Sequence, residues 1–494
     1  MNRITIQNAN MCKIEGPAKV LLRLFKEFRI KHPNAWHITM YQKNRRGKYQ
    51  WDGYIKYLSQ DGRFKIGLLP MVVNLLKGWG ESVKIIDNRP PLPVNPEIPE
   101  YLGNIKLYPR QKKALENILF NKVKGHPFLI EVGDFSVGFG KTLIFCAIHE
   151  AFKRKLRTVL LLNDSDLFNQ FKSEIPKLLP GEDVKFIQGA KSSTWGNFNV
   201  VMVQTLSRNL KKFYNDIIKV GIVLIDEADI IDNKTYSNVI THLYNTQVRI
   251  GLSGTIYMSK LKKDLVHNMN IRSFIGDKVD SVKLIDQIKT GKATPVIVKM
   301  IYNNLPEMGG LDYPEEYNKA ITNNLQAYKL SFSRSAYNAK YGRFPQLIVT
   351  KFIDHCEKLY QYYQDINLKE NLGYVIKYVH HETKERNQIL NEFREGKIDI
   401  LISTTIISRG KNFPLLKYLQ NTASMDSNEK AIQILGRLVR QHESKTKAYM
   451  DDIVFNGHYL TRHGNHRKVY YQKEKLKVIR ILDNHIIRRN KKRK

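Results

Sequence analysis

From residue 105 onward the chain carries short, continuous apolar runs: FLIEV at 128–132, TVLLL at 158–162, NVVMV at 199–203 and IVLID at 222–226. Amphipathic segments separate them. A strand covered on both faces needs an unbroken apolar run, so this rhythm predicts a parallel sheet wrapped by helices. The rhythm restarts after Pro295 with QLIVT (346–350), YVIKYV (374–379) and DILIST (399–404). Two tandem α/β lobes are expected, over 105–285 and 286–455, joined near 282–295.

The first 88 residues have a different texture and predict a small α+β domain. Residues 3–8 read as a strand, and 17–28 (PAKVLLRLFKEF) have helical spacing with Pro17 near the first turn. Residues 49–57 and 63–68 read as a hairpin, 70–79 as a helix and 83–87 as a closing strand. Residues 89–100 (RPPLPVNPEIPE) hold five prolines in twelve positions. Such a segment continues neither a helix nor a central strand, so 89–104 is read as a stiff linker. Residues 456–494 are expected to form a basic helical tail ending in NHIIRRNKKRK.

Charge sharpens this picture. Lys and Arg total 81 against 46 Asp and Glu, a formal net charge of +35 spread along the 494 residues. A chain this basic faces a polyanion more often than it merely presents a solvated surface. Cys12, Cys146 and Cys356 lie far apart and have no metal-binding spacing, which argues against a disulfide framework. No stretch approaches a membrane span, and no apolar signal core opens the sequence. A cytoplasmic protein without membrane contact is expected.

Candidate chemistry begins at residues 128–142, FLIEVGDFSVGFGKT. An apolar strand enters a glycine-rich turn, and Gly140-Lys141-Thr142 opens a helix. Glycines at 138 and 140 let backbone N–H groups face phosphate oxygens, and the helix N-terminus adds partial positive charge. Lys141 can reach the outer phosphates, and the Thr142 hydroxyl can ligate Mg2+. The strict phosphate-loop pattern fails at its first glycine, which is Phe135, but Gly138 to Thr142 is intact. The ligands expected are ATP and Mg2+.

About 85 residues on, GIVLI ends in Asp226-Glu227-Ala228-Asp229. A phosphate loop requires a carboxylate on a neighbouring strand end for the metal and a base for the attacking water. Asp226 suits the first role and Glu227 the second. By itself an acidic strand end would be read as ordinary capping. Further on, Gln433-Ile-Leu-Gly436-Arg437-Leu-Val-Arg440 puts two arginines three apart, expected on one helix face. Arginines supplied to a transferring phosphoryl group by the second lobe would make ATP a latch. Alone, they would be read as a solvated basic face.

Taken in order, these segments resemble superfamily-two helicases over residues 107–440. Leu107-Tyr108-Pro109-Arg110-Gln111 resembles the adenine-reading Q segment, with Gln111 its reader. Ser136 to Thr142 resembles motif I, and Leu160 to Gln170 motif Ia, although Asn163-Asp164 replaces the usual Pro-Thr. Val203-Gln204-Thr205 resembles the following strand-end motif, and Asp226 to Asp229 motif II. Ser253-Gly254-Thr255 resembles the motif that couples ATP state to the nucleic-acid track. Thr404 to Gly410, with Arg409, resembles motif V, and Gln433 to Arg440 motif VI. Each motif is weak alone; six or more in order are specific. The resemblance implies RecA-like lobes, Gln433 and Gly410 near the nucleotide, and Gln204, Thr205, Thr404 and Arg409 near nucleic acid. Thr405 and Asn412 stand where many relatives carry acidic residues. The DEAD tetrapeptide does not make this a DEAD-box protein, since those have His at the position of Gln433.

The N-terminal unit narrows the resemblance. Trp51-Asp52-Gly53 and Gly67-Leu68-Leu69-Pro70, together with the segment beyond 456, are similar to UvsW-type helicases of tailed phages. That family implies 3′ to 5′ DNA unwinding and branch migration at forks, Holliday junctions and R-loops, in recombination, repair or replication, by a monomer. An RNA helicase, a double-strand translocase and a catalytically silent binding scaffold are the rival readings. Arg45, Arg46 and Lys48 form a turn that could touch phosphate or simply be solvated. Trp51 reads as core in preference to a base-stacking platform. His458, His463 and His466 with Asn465 are too tightly spaced for a nuclease site, so helix packing is expected there.

Overall fold

The computed structural model describes residues 1–35, 51–123, 125–136, 138–189, 194–257, 264–303, 312–408, 413–426 and 428–483. Arg45, Arg46, Lys48, Arg409, Gly410 and the last eleven residues lie outside them. The chain divides into two compact units, residues 1–135 with 140–281 and residues 136–139 with 282–494.

The first unit holds a seven-stranded sheet in the order Val184–Ile187, Phe198–Met202, Arg157–Leu162, Val220–Asp226, Val248–Ser253, Ile130–Phe135, Lys278–Val282. Pairing is parallel from Val184–Ile187 through to Ile130–Phe135. Every residue of Val220–Asp226 and of Ile130–Phe135 is buried, as a central strand covered on both faces requires. Parallel pairing forces right-handed helical crossovers, which brings Phe135 and Asp226 to the same carboxyl edge.

The N-terminal residues form a four-stranded sheet in the order Arg63–Lys65, Met11–Glu15, Asn2–Ile6, Val83–Asp87, with helices Ala18–Glu27 and Leu69–Gly78. Two local expectations are corrected. Tyr54–Lys56 pairs with Arg29–Lys31, and Arg63–Lys65 pairs with Met11–Glu15, so the expected hairpin between them is reduced to a single antiparallel bridge between Leu58 and Phe64. Cys12 and Ile14 point inward from a strand the sequence reading missed, and burial of that alternating face decides the pairing.

This small sheet is not set off from the first unit by a free linker. Ile4, Phe64, Leu68 and Leu76 share one apolar core with Phe128, Ile130 and Met269. Polar contacts rim it. Ala9 N–H donates to the Tyr244 carbonyl at 3.0 Å, and Tyr57 Oη donates to Asn270 Oδ1 at 2.8 Å. Arg249 is fully buried; its guanidinium donates to Asn10 Oδ1 at 2.7 Å and to the Phe274 carbonyl at 3.0 Å. Gly67 packs so closely that a Cβ there would lie 2.1 Å from the Arg272 carbonyl oxygen. The proline segment itself is tied down. Glu97 N–H donates to Ala151, and Gln247 donates to the Pro91 carbonyl.

The second unit carries another seven-stranded sheet, entirely parallel in its recorded pairs. Its order is Ile376–Val379, Ile400–Thr404, Gln346–Thr350, Tyr418–Asn421, Ala448–Val454, Val296–Asn303, Lys477–Asp483. The expected basic tail is corrected here. Residues His458–Lys473 form a helix with Leu460, Arg467 and Tyr471 buried, and Lys477–Asp483 is the edge strand beside Val296–Asn303. An edge strand pairs on one side only and tolerates charges such as Lys477 and Arg480, which disguised it in the sequence.

The shared core makes a direct prediction. Truncation of buried Phe64 to Ala should cost about 3–5 kcal/mol. Hydrogen exchange should then quicken in Ile130–Phe135 as well as in residues 1–88. Loss of protection confined to 1–88 would show that the two regions pack independently.

Candidate nucleotide site

Ile130–Phe135 delivers the chain into the loop, and helix Lys141–Ala151 receives it with Gly140 as the residue before the first turn. Gly138 and Gly140 have φ of +92° and +89°. Side chains are disfavoured in that region. Gly140 is further restricted because a Cβ would sit 2.9 Å from Gln111 Nε2. Gln111 itself is buried on helix Pro109–Leu119, and its Oε1 accepts from Tyr108 N–H at 3.3 Å. The expected reader of the base is therefore held beside the phosphate loop. Ahead of the glycines, Ser136 N–H donates to the Val282 carbonyl at 3.0 Å, and Gln287 Nε2 donates to Ser136 Oγ.

Lys141 Nζ lies 3.4 Å from Asp226 Oδ1, with the lysine side chain 25% exposed and the aspartate 6%. Burial works against the Lys141 charge. The carboxylates of Asp226, Glu227 and Asp229 outweigh it and hold the ammonium above its usual range. Asp226 Oδ1 is buried and, among the described residues, is engaged only by that ion pair. Glu227 has φ +51°, a conformation a non-glycine residue adopts at a cost of about 1–3 kcal/mol and retains where its surroundings impose it. Asp229 Oδ1 accepts from Ser253 Oγ at 2.5 Å, and Ser253 Oγ accepts from Thr255 N–H at 3.1 Å. The acidic strand end and the Ser253-Gly254-Thr255 turn are thus one hydrogen-bonded unit.

The residues fit an Mg-nucleotide. A glycine cradle, a lysine, the Thr142 hydroxyl at a helix start and an under-coordinated buried Asp226 oxygen are the donor set such a ligand needs, with phosphates and water completing the shell. No cluster of three or more His, Cys, Asp or Glu that could hold a metal without phosphate occurs among the described residues.

Other expected residues fall elsewhere. Gln204 is exposed and its amide donates to the Asn163 carbonyl at 3.4 Å. Thr205 is buried, and its hydroxyl accepts from Gly189 N–H at 2.9 Å, so it straps a loop instead of presenting a free hydroxyl. Thr404 is buried at the end of Ile400–Thr404. Asp164, which replaces a familiar motif residue, caps helix Ser165–Leu178 by accepting from Leu167 N–H at 2.9 Å. In the second unit Gln433 and Arg437 lie on helix Asn428–Leu438, but Arg440 lies two residues past its end. The single-face expectation is corrected accordingly. Trp51 is half-buried, with its indole N–H donating to the Tyr54 carbonyl.

Sequence reasoning missed Gln287 and Asp134. Asp134 is buried on the strand that feeds the loop, where it accepts from Lys278 and Ser281. Neither residue lies in a motif. Asp134 meets partners 144 and 147 residues later and Gln287 meets Ser136 across 151, and no local signal marks either.

Comparison with known proteins agrees with this geometry. Residues 104–258 match the family described as type III restriction enzyme, res subunit, and 334–442 match the helicase conserved C-terminal domain. With these two matches the chain carries the core of superfamily-two helicases. It is 22% identical over 451 residues to the ATP-dependent DNA helicase uvsW of Enterobacteria phage T4, covering 87% of each. It is 23% identical to the protein named helicase 22 of Sulfolobus islandicus filamentous virus, covering 72% of this chain and 66% of that one, so the match spans just under two thirds of that relative. The fold is similar to the type ISP restriction-modification enzyme LlaBIII, with a TM-score of 0.57 and 13% identity over 83% of this chain and 34% of that one. No helix among the described residues is long and apolar enough to cross a membrane.

Glu131, on the strand before the loop, gives a pH prediction. Burial, reinforced by Asp277 and opposed by a hydrogen bond from Asn121, pushes its carboxyl up to about 9 from 4.5. Between those values the folded chain holds a proton that the unfolded chain releases, so stability falls as pH rises through the window. Glu131→Gln should remove that loss. Its melting temperature should match wild type near pH 4.5 and exceed it increasingly toward pH 9; a constant difference would assign Glu131 no proton.

Proposed function

We propose that this protein is an ATP-driven DNA motor that remodels branched DNA. The observation that carries the motor is the Lys141–Asp226 pair at the carboxyl edge of one parallel sheet, with Glu227 held in a left-handed conformation beside it. Lys141 neutralises the outer phosphates. Glu227 orients a water for in-line attack on the γ-phosphorus and accepts its proton as the bond to the β-phosphate oxygen breaks. Mg2+, held by Thr142 and Asp226, supplies further charge neutralisation when bound. Gln111 reads the base, Gly138 and Gly140 admit the phosphates, and Gln433 with Gly410 completes the nucleotide contacts. Arg437 and Arg440 contribute the positive charge that phosphoryl transfer demands, an effect of about 10³–10⁵ in rate where such arginines have been removed.

The link from Asp229 through Ser253 to Thr255 supports coupling of ATP state to the track. DNA, engaged at Gln204, Thr404, Arg409 and the basic residues Arg45, Arg46 and Lys48, is supported by the net charge of +35 and by the uvsW match. That match covers 87% of this chain, and branched substrates and 3′ to 5′ travel are what the resemblance to UvsW-type helicases implies. The protein acts as a monomer, in the cytoplasm of a host if phage-encoded.

Steady-state ATP hydrolysis by wild type and Lys141→Ala, without nucleic acid and with single-stranded DNA, forked DNA or RNA, tests this. Branched or single-stranded DNA should stimulate most, and the mutant should be inactive. Stimulation by RNA alone would replace the DNA reading with an RNA helicase. Turnover on forked DNA without strand separation would mark a double-strand translocase. No hydrolysis with any of them would leave a binding scaffold.

A further inference from the structure

Helix His458–Lys473 directs its polar side chains at one short segment, Asn421–Asp426, which leads into the helix carrying Gln433 and Arg437. Arg467 is fully buried. It grips Asp452 of strand Ala448–Val454 through Nε at 2.9 Å and Nη2 at 2.7 Å, while its Nη1 donates to the Met425 carbonyl at 2.7 Å. Tyr471 Oη and Asn421 Nδ2 also donate to Asp452, at 2.7 and 3.1 Å. His463 Nδ1 meets the Ser424 carbonyl at 3.1 Å, where Ser424 has φ +44°. His466 Nδ1 pairs with Asp426 Oδ1 at 2.6 Å.

The other end of the same helix is held as firmly. Buried Lys445 donates through Nζ to the Leu438 carbonyl at 2.9 Å and to Leu416 at 3.2 Å. Thr294 donates through N–H to Val439 at 2.8 Å and through Oγ1 to Arg440 at 3.0 Å. A short helix needs capping for its last carbonyls, and an ammonium there also suits the helix dipole. Lys445 and Thr294 are both buried. They fix where the helix ends, as the contacts to Asn421–Asp426 fix where it begins.

We propose that Arg467, His466 and Asp426 are positioning residues for Arg437 and Arg440, setting the entry of the arginine-bearing helix so that its guanidinium groups meet the transferring phosphoryl group. This rests on the reading of those arginines given above. A left-handed serine is retained only where its surroundings over-determine it, and here the surroundings are the histidine helix. Misplacement of about 1 Å in a catalytic group can cost about 10²-fold in rate, so a small slackening of this clamp is visible in turnover.

Arg467 is a poor first target, because breaking a fully buried ion pair threatens folding. The His466–Asp426 pair is open to solvent, with side chains 37% and 35% exposed, and tolerates change. The test measures ATP hydrolysis by the full chain with saturating single-stranded DNA, alongside thermal melting, for His466→Ala, Asp426→Ala, His466→Gln and Arg437→Ala. Arg437→Ala should lose most activity. His466→Ala and Asp426→Ala should lower kcat about tenfold or more, with KM for ATP and melting temperature unchanged. His466→Gln, which keeps a donor, should recover most of it. Wild-type kcat in both alanine variants beside an inactive Arg437→Ala would overturn the positioning role alone. A joint fall in kcat, rise in KM and drop in melting temperature, without rescue by glutamine, would also overturn it by making the pair merely structural. Wild-type kcat in Arg437→Ala would instead remove the arginine reading on which it rests.

Discussion

A lysine drawn against a sheet edge needs negative charge close by, and the Lys141–Asp226 ion pair meets that need at 3.4 Å. The requirement constrains the architecture. Asp226 ends one strand and Lys141 opens the helix that follows the loop after another, Ile130–Phe135, with Val248–Ser253 between those strands, so the pair forms only if all three strands are in parallel register. A slip by one residue would turn Asp226 to the other face of the sheet. Three carboxylates around one ammonium leave the site net negative without ligand. That fits a site whose ligand arrives with its own divalent cation and whose lysine exchanges Asp226 for phosphate.

The same intermediate strand links the acidic strand end to the N-terminal sheet. Ser253 at its end bonds Asp229, and Arg249 within it bonds Asn10 of the N-terminal sheet. Among the described residues no carboxylate pairs with buried Arg249; a carbonyl and an amide oxygen hold it instead. Charged hydrogen bonds of this kind are worth about 1.5–3 kcal/mol each, more than a surface ion pair at about 0–1 kcal/mol. The N-terminal sheet is therefore anchored to the element that ends in the site. It does not ride on a loose tether, despite the five prolines that suggested one.

The motor strands were legible because burial on both faces writes itself as a local apolar run, and the glycine cradle because its geometry lies within a few residues. Asp226 and Glu227 were legible only in combination with that cradle. What escaped was non-local or disguised. Met11–Glu15 is too short and too polar in its outward positions to stand out. Lys477–Asp483 carries the basic residues of an edge strand and reads as a tail. Arg440 was placed on a helix face by spacing, yet the helix ends at Leu438, where Lys445 and Thr294 take its carbonyls. Helix ends are set by such long-range partners as much as by local propensity.

The two units place their charged groups under different constraints. In the first, Lys141, Asp226 and Glu227 stand at a strand end and a helix start, and the sheet fixes them. In the second, the arginines stand on and just beyond a helix of eleven residues. A helix of that length is marginal alone, so its position is decided by what holds its ends. Asp452 accepts from Arg467, Tyr471 and Asn421 at once, two donors from helix His458–Lys473 and one from strand Tyr418–Asn421. A carboxylate so saturated cannot be exchanged for water without stranding the arginine, and this is why the segment beyond residue 456 is a working part of the second sheet and not an appendage to it.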